Sequence, residues 1–119
     1  MRTIIISMFA LSCGMSQAFD LKQCADNAKT TSDTKHCISI AIDQADKELN
    51  STYQALMQAK SPGYSKETLQ KAQHAWIQFR DLNCSVLNQG TISQELNMNC
   101  ILETTKARTQ ELKELEKYL

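Results

Sequence analysis

Ile38, Ile42, Ala45, Leu49, Thr52 and Leu56, all but the threonine apolar, recur along the first half of the chain at alternating steps of four and three. That spacing is one face of a helix, and it predicts a helix from about Thr34 to Ala59. Thr30, Thr31, Ser32 and Asp33 precede it and are helix-starting residues. Ser61-Pro62-Gly63 breaks the pattern. Ser65 can cap a second helix, with Glu67 in its first turn favouring the dipole. Leu69, Ala72, Trp76 and Phe79 mark the expected buried face of this helix. It should run to about Leu87 or Asn88 and stop at Gly90. Thr91 or Ser93 starts a third helix, whose expected inward stripe is Ile101, Thr105, Arg108, Leu112, Leu115 and Leu119. Glu111, Lys113, Glu114 and Lys117 give it a solvated face. A short helix is expected around Leu21 to Ala28, and no strand pattern competes. The fold class is therefore all-α: a small antiparallel bundle of three main helices plus a short N-terminal one.

A second pattern overlies the first. Asp46, Asn50 and Tyr53 share a face of the first main helix, and Gln73, Trp76, Arg80 and Cys84 share one on the second. A plain amphipathic helix needs no such mixture of polar and large apolar side chains. The expectation is a partly buried structural network in which Asp46, Asn50, Arg80, Thr105 and Arg108 converge and fix helix register. A buried arginine without a partner is costly, so Asp46→Ala should destabilise by about 3 kcal/mol if burial is deep.

The N-terminus begins Met1-Arg2-Thr3, runs apolar from Ile4 to Leu11 and ends small-x-small at Ser16-Gln17-Ala18. This is the pattern of a secretory signal peptide, with cleavage expected after Ala18. The run is too short to span a bilayer, which takes about 20 residues. Removing 18 of 119 residues leaves 101, one domain over 19–119. Export to the periplasm or the medium is the expected destination. Cys13 offers a lipoprotein alternative: Ser12 before it is small, but the usual leucine three residues before the cysteine is missing. A discarded signal-peptide cysteine is the favoured reading.

Loss of Arg2 leaves 12 basic against 13 acidic residues. A near-neutral surface argues against non-specific nucleic-acid binding and gives no attraction to acidic lipid. Cys24, Cys37, Cys84 and Cys100 remain, an even set that reads as two disulfides in an exported chain. Three pairings are possible, and the antiparallel topology brings all four cysteines to one end of the bundle. Cys24–Cys37 with Cys84–Cys100 is preferred because each closes a short loop, worth about 3 kcal/mol apiece in the chain-entropy model. Cys24, His36 and Cys37 match no zinc spacing, so no metal is expected. With no Cys-x-x-Cys, redox catalysis is not expected either.

The motif Asp46-x-x-Leu49-Asn50-x-x-Tyr53 is followed by Gln73-x-x-Trp76-x-x-x-Arg80-x-x-x-Cys84 and then by Gly90-Thr91, Cys100, Thr105, Arg108 and Leu112. With Cys24 and Cys37 ahead of them, these residues resemble the LprI-like lysozyme inhibitor family of small exported bacterial helical domains. Members often carry two glycines before the Ser or Thr; here Gln89 replaces the first. The resemblance implies a helical exported domain and a protein partner, with lysozyme as the candidate. It marks no inhibitory residue. No nucleophile elbow, phosphate loop or metal signature points to an enzyme, and neither His36 nor His74 has a partner at catalytic spacing. No cofactor is expected. Trp76 reads as core, with sugar stacking as its functional alternative.

Two functions are compared: inhibition of a lysozyme-type peptidoglycan hydrolase, and a non-catalytic envelope binding or accessory module with a different protein partner. For inhibition, two protrusions are available. The turn Ser61-Pro62-Gly63-Tyr64-Ser65 is flanked by Lys60 and Lys66, whose charges suit a carboxylate-lined cleft. The connection carrying Gln89, Gly90, Thr91 and Ser93 is framed by Cys84 and Cys100. The second is chosen, because a pre-organised loop loses less entropy on binding.

Overall fold

A computed structural model describes residues 18–90 and 92–119. The signal-peptide cleavage motif up to Gln17, Cys13 and Thr91 lie outside the described residues. The described helical elements are, in order, α1 (Leu21–Asp26), α2 (Thr31–Gln58), α3 (Lys66–Ser85), α4 (Ser93–Lys113) and the 3-10 turn α5 (Glu114–Tyr118). All described regular structure is helical, in keeping with the hydrophobic periodicity. No described helix is long and apolar enough to cross a membrane.

The breaks have local causes. Thr30 Oγ1 accepts from the Asp33 amide at 3.1 Å, while Asp33 Oδ2 accepts from the amides of Thr30 and Lys29, each at 3.0 Å. This reciprocal capping box starts α2 at Thr31, three residues earlier than the apolar repeat suggested. It also holds the Asp33 carboxyl below its ordinary range, chiefly through the Lys29 amide. Ser65 Oγ accepts from the Thr68 amide at 3.2 Å and opens α3. Gly90, at φ +97°, takes the left-handed conformation that ends the α3 connection. At 28 residues, α2 is about 42 Å long.

Helices α2 and α4 run parallel as the main packed pair, and α3 runs antiparallel to both. Leu49, Leu56, Leu69 and Leu112 form one core cluster, against which Tyr53, Met57, Tyr64, Trp76 and Leu115 pack. Ala41, Ala45 and Leu102 form a second, joined by Phe19, Leu21 and Ile42. The cores are thin, and two disulfides staple the same end of the bundle: Cys24–Cys37 and Cys84–Cys100. These are the two short-loop pairings. Two of the buried threonines bond to backbone: Thr52 donates to the Glu48 carbonyl at 2.9 Å and Thr109 to the Thr105 carbonyl at 3.2 Å.

Two expected stripes are rotated. On α4 the buried residues are Leu102, Thr105, Thr109 and Leu112; Ile101 is only half-buried, and Leu119 beyond the helix is exposed. On α3, Ala72 and Phe79 are exposed, and the buried residues are Leu69, Gln73 and Cys84. The Cys84–Cys100 bond and the polar contacts of Arg80 and Arg108 set that rotation.

Candidate functional site

The inner face of α3 is the polar stripe. Arg80 leaves only 14% of its side chain exposed. Its Nη1 donates to Asp46 Oδ1 of α2 at 3.3 Å and to Thr105 Oγ1 of α4 at 3.2 Å, and its Nε donates to Asp81 at 2.9 Å. One guanidinium thus ties three helices. Arg108 on α4 donates from Nε to Gln73 Oε1 at 3.0 Å and from Nη1 to Glu111 at 2.9 Å. Both guanidinium groups lie against the Trp76 ring, 5.2 and 5.9 Å from its centroid. At such distances cation–π attraction adds to ion pairing.

Of the five residues expected to converge, Asp46, Arg80 and Thr105 share hydrogen bonds, and Arg108 meets them only through Trp76, against which both arginines lie. Asn50 does not join them: it is exposed on α2, one turn beyond the reach of Arg80. Gln73, 4% exposed, takes its place as the acceptor for Arg108. Its position on the Trp76–Arg80 stripe was the signal for it. The polar contacts of both arginines end on groups of this chain, and the indole packs against the leucine cluster. The arrangement joins α2, α3 and α4 through side-chain contacts. Among the described residues, no cluster of three or more His, Cys, Asp or Glu side chains gathers to hold a metal.

The α3–α4 connection has the opposite character. Residues 86–90 and Ile92 are all exposed. A Cβ placed on Gly90 would meet nothing within 4 Å, so the backbone there stands in open solvent. Beneath it the connection is anchored: Cys84 is fully buried in its disulfide, and its carbonyl accepts from Asn97 Nδ2 at 2.9 Å. The Leu87 and Asn88 amides donate to the Cys84 and Ser85 carbonyls at 3.2 and 3.0 Å. The Ser93 amide closes the far side on the Gly90 carbonyl at 3.3 Å. Val86 and Ile92, 72% and 64% exposed, flank the polar tip of Asn88 and Gln89.

The competing turn at 61–65 is not free. The Gly63 amide donates to the Tyr118 carbonyl at 2.8 Å, and the Tyr64 hydroxyl donates to the Leu56 carbonyl at 2.8 Å. The turn is thereby packed onto α5 and the end of α2.

A protein of Rhizobium meliloti (strain 1021), described only as uncharacterized, is 38% identical to this chain, with 66% of this chain and 70% of the relative covered. No solved structure matches significantly. The family described as lysozyme inhibitor LprI matches residues 23–112, which include both disulfides, the polar stripe and the α3–α4 connection. The chain belongs to the lysozyme inhibitor LprI family.

Proposed function

We propose that the protein is an exported, non-catalytic inhibitor that binds a lysozyme-type peptidoglycan hydrolase and blocks its cleft with the α3–α4 connection. Family membership supports inhibition as the activity. The observation that carries the choice of contact is the mechanical contrast of that connection: an exposed tip at Asn88, Gln89 and Gly90 over a buried disulfide at Cys84.

Inhibition of this kind needs no chemistry from the inhibitor. A glycoside hydrolase cleft holds two carboxyl groups about 5–10 Å apart, and blocking it calls for hydrogen-bond donors on a narrow projection. The side-chain amides of Asn88 and Gln89, the hydroxyl groups of Thr91 and Ser93, and the Gly90 amide provide such donors. Absence of a Cβ at Gly90 lets backbone approach a surface closely. Val86 and Ile92 can bury apolar area on either side of the polar tip. Two disulfides suit an oxidising, extracytoplasmic compartment, where such hydrolases act.

The test is titration of the purified, oxidised protein against several lysozymes, with the Gln89→Ala, Thr91→Ala, Ser93→Ala triple variant alongside. Expected are stoichiometric inhibition by the native protein and inhibition weaker by about tenfold or more for a folded triple variant. Undiminished inhibition by that variant would remove the connection from the contact and direct attention to the Tyr64 turn. Failure of the native protein against every lysozyme would overturn the inhibitor reading itself.

A further inference from the structure

Helix α3 is anchored unevenly. Its buried side chains are Leu69, Gln73 and Cys84, so beyond Gln73 the only buried residue of the helix is a cysteine. The backbone bonds that seat the connection meet at that same residue. The Cys84 carbonyl accepts from Asn97 Nδ2 at 2.9 Å and from the Leu87 amide at 3.2 Å. Across the disulfide, α4 is held independently, by Leu102, Thr105, Thr109 and Leu112 in the core. The two sulfurs share a polar neighbour. Thr104 Oγ1 lies 3.9 Å from Cys84 Sγ and 4.0 Å from Cys100 Sγ. A disulfide sulfur carries no proton, so the hydroxyl is the donor. Among the described residues these are the hydrogen-bond contacts made to sulfur; Cys24 and Cys37 have none. Cys84 is fully buried, whereas Cys100 is half-buried.

We infer that the Cys84–Cys100 bond is a redox switch: a dithiol that reduces it loosens the α3–α4 connection while the α2–α4 core stays folded. As a control of inhibition, this rests on the proposed function. Access sets the direction of exchange. The attacking thiolate bonds to Cys100 Sγ, the more open sulfur, and forms a mixed disulfide. The Cys84–Cys100 bond breaks, and its electron pair leaves on Cys84 as a thiolate. Burial disfavours that charge, and the Thr104 hydroxyl is placed to donate to it. The second thiol of the donor then attacks the donor sulfur of the mixed disulfide and releases Cys100. Both cysteines take up protons, so two electrons and two protons pass from the dithiol, which becomes a disulfide.

Opening has a mechanical result. Bonded sulfurs are about 2 Å apart, and unbonded ones rest about 3.5–4 Å apart, so one helix must yield by roughly 1.5–2 Å. Helix α4 is fixed by its four buried side chains, and the end of α3 has the cysteine alone. The end of α3 therefore moves, and the Asn97 bond to the Cys84 carbonyl goes with it. A loosened connection must be ordered again on binding, which weakens association.

Titration of the oxidised protein with dithiothreitol tests this, with alkylation and peptide mapping to follow each disulfide and hydrogen exchange to follow the backbone. Cys84–Cys100 is expected to open before Cys24–Cys37. Exchange at residues 84–97 should then quicken by about tenfold or more, with the α2–α4 pair still protected, and reoxidation should reverse it. Thr104→Val should slow the opening several-fold, and Thr104→Ser should restore the native rate. The inhibition constant against lysozyme should rise by about tenfold on opening and recover on reoxidation. Cys24–Cys37 opening first, loss of protection throughout the domain, or a connection unchanged after Cys84–Cys100 has opened would each overturn the switch. An opening rate indifferent to Thr104→Val would overturn the part given to that hydroxyl. Mapping and exchange need no lysozyme, so they decide the switch even if the native protein inhibits none, a result that would overturn the inhibitor reading instead. Equal inhibition by the oxidised and the opened protein would overturn the control of inhibition and leave the inhibitor reading standing.

Discussion

On α2 the side chains turned to the core are Cys37, Ile38, Ala41, Ala45, Leu49, Thr52 and Leu56, and most other polar residues face water. On α3 the assignment is nearly reversed: Gln73, Trp76 and Arg80 face inward, while Phe79, Leu82 and Val86 face out. The difference shows how a small domain divides its work. Helix α2 meets α4 through a leucine and alanine face, and hydrophobic burial holds the two together. Helix α3 is held by Leu69 in the leucine cluster, a disulfide, two arginines and one tryptophan. Because these attachments are few and directional, the helix leaves an apolar face and its C-terminal connection exposed.

The two helices should differ most where burial is complete. Leu56, fully buried on α2, should cost about 3–4 kcal/mol on replacement by alanine, whereas Leu82→Ala on α3 should stay within about 0.5 kcal/mol in dilute solution. Urea unfolding of the two variants provides the measurement. An equal loss for both would mean that Leu82 is covered in the folded monomer.

The next effect is that of the disulfide. Replacing Cys84 and Cys100 by serine opens a loop closed over a separation of 16 residues and should cost about 3 kcal/mol. Hydrogen exchange should show the loss concentrated at the end of α3 and the start of α4, with the α2–α4 pair still protected.

A smaller effect belongs to the polar stripe. Deep burial would have made Asp46→Ala worth about 3 kcal/mol or more. The Asp46 side chain is 42% exposed, and Arg80 retains Asp81 and Thr105 as partners. The expected loss is therefore about 1–2 kcal/mol, read as a lower melting temperature. A native melting temperature together with lost lysozyme binding would make Asp46 a contact residue.

The smallest effect is at Asp33. Its carboxyl is held below the ordinary value by the amides of Lys29 and Thr30 and by the Thr30 side chain. A depressed folded-state value means that this stabilisation is complete above the unfolded value of 3.8 and is lost as pH falls through the folded value. Asp33→Asn should thus flatten the acid limb of the stability profile below about pH 4 and leave the neutral-to-basic limb unchanged. An unaltered acid limb would show that the capping box is not formed in solution.

Much of this contrast can be read in the sequence, and the exceptions have physical reasons. The α2 face follows from Ile38 to Leu56 because one apolar row dominates that helix. Caps at Thr30 and Ser65 and the break at Pro62 are local chemistry, which depends on neighbours in sequence, whereas α3 ends at Ser85, short of the expected run to Leu87 or Asn88 and the stop at Gly90. Helix α3 carries two competing rows. The row of Leu69, Ala72, Trp76 and Phe79 is the more apolar, yet the row of Leu69, Gln73, Trp76, Arg80 and Cys84 is the one turned inward. Hydrophobic periodicity cannot choose between them, since the choice is made by Asp46 and Thr105 on other helices and by the bond to Cys100. The same cause displaced Ile101 in favour of Leu102 and left Asn50 in solvent. The connection at Gln89, Gly90, Thr91 and Ser93 was visible as small polar residues between two cysteines. Its exposure at residues 86–90, and the tethering of the Tyr64 turn beside Tyr118, arise from tertiary contacts.

Hydrogen exchange of the oxidised protein, with and without saturating lysozyme, tests most directly whether α3 separates a holding face from a binding tip. New protection is expected at residues 86–93, with the Trp76 and Arg80 stretch of α3 unchanged. Protection confined to residues 61–65 or to the inner stripe would contradict that separation.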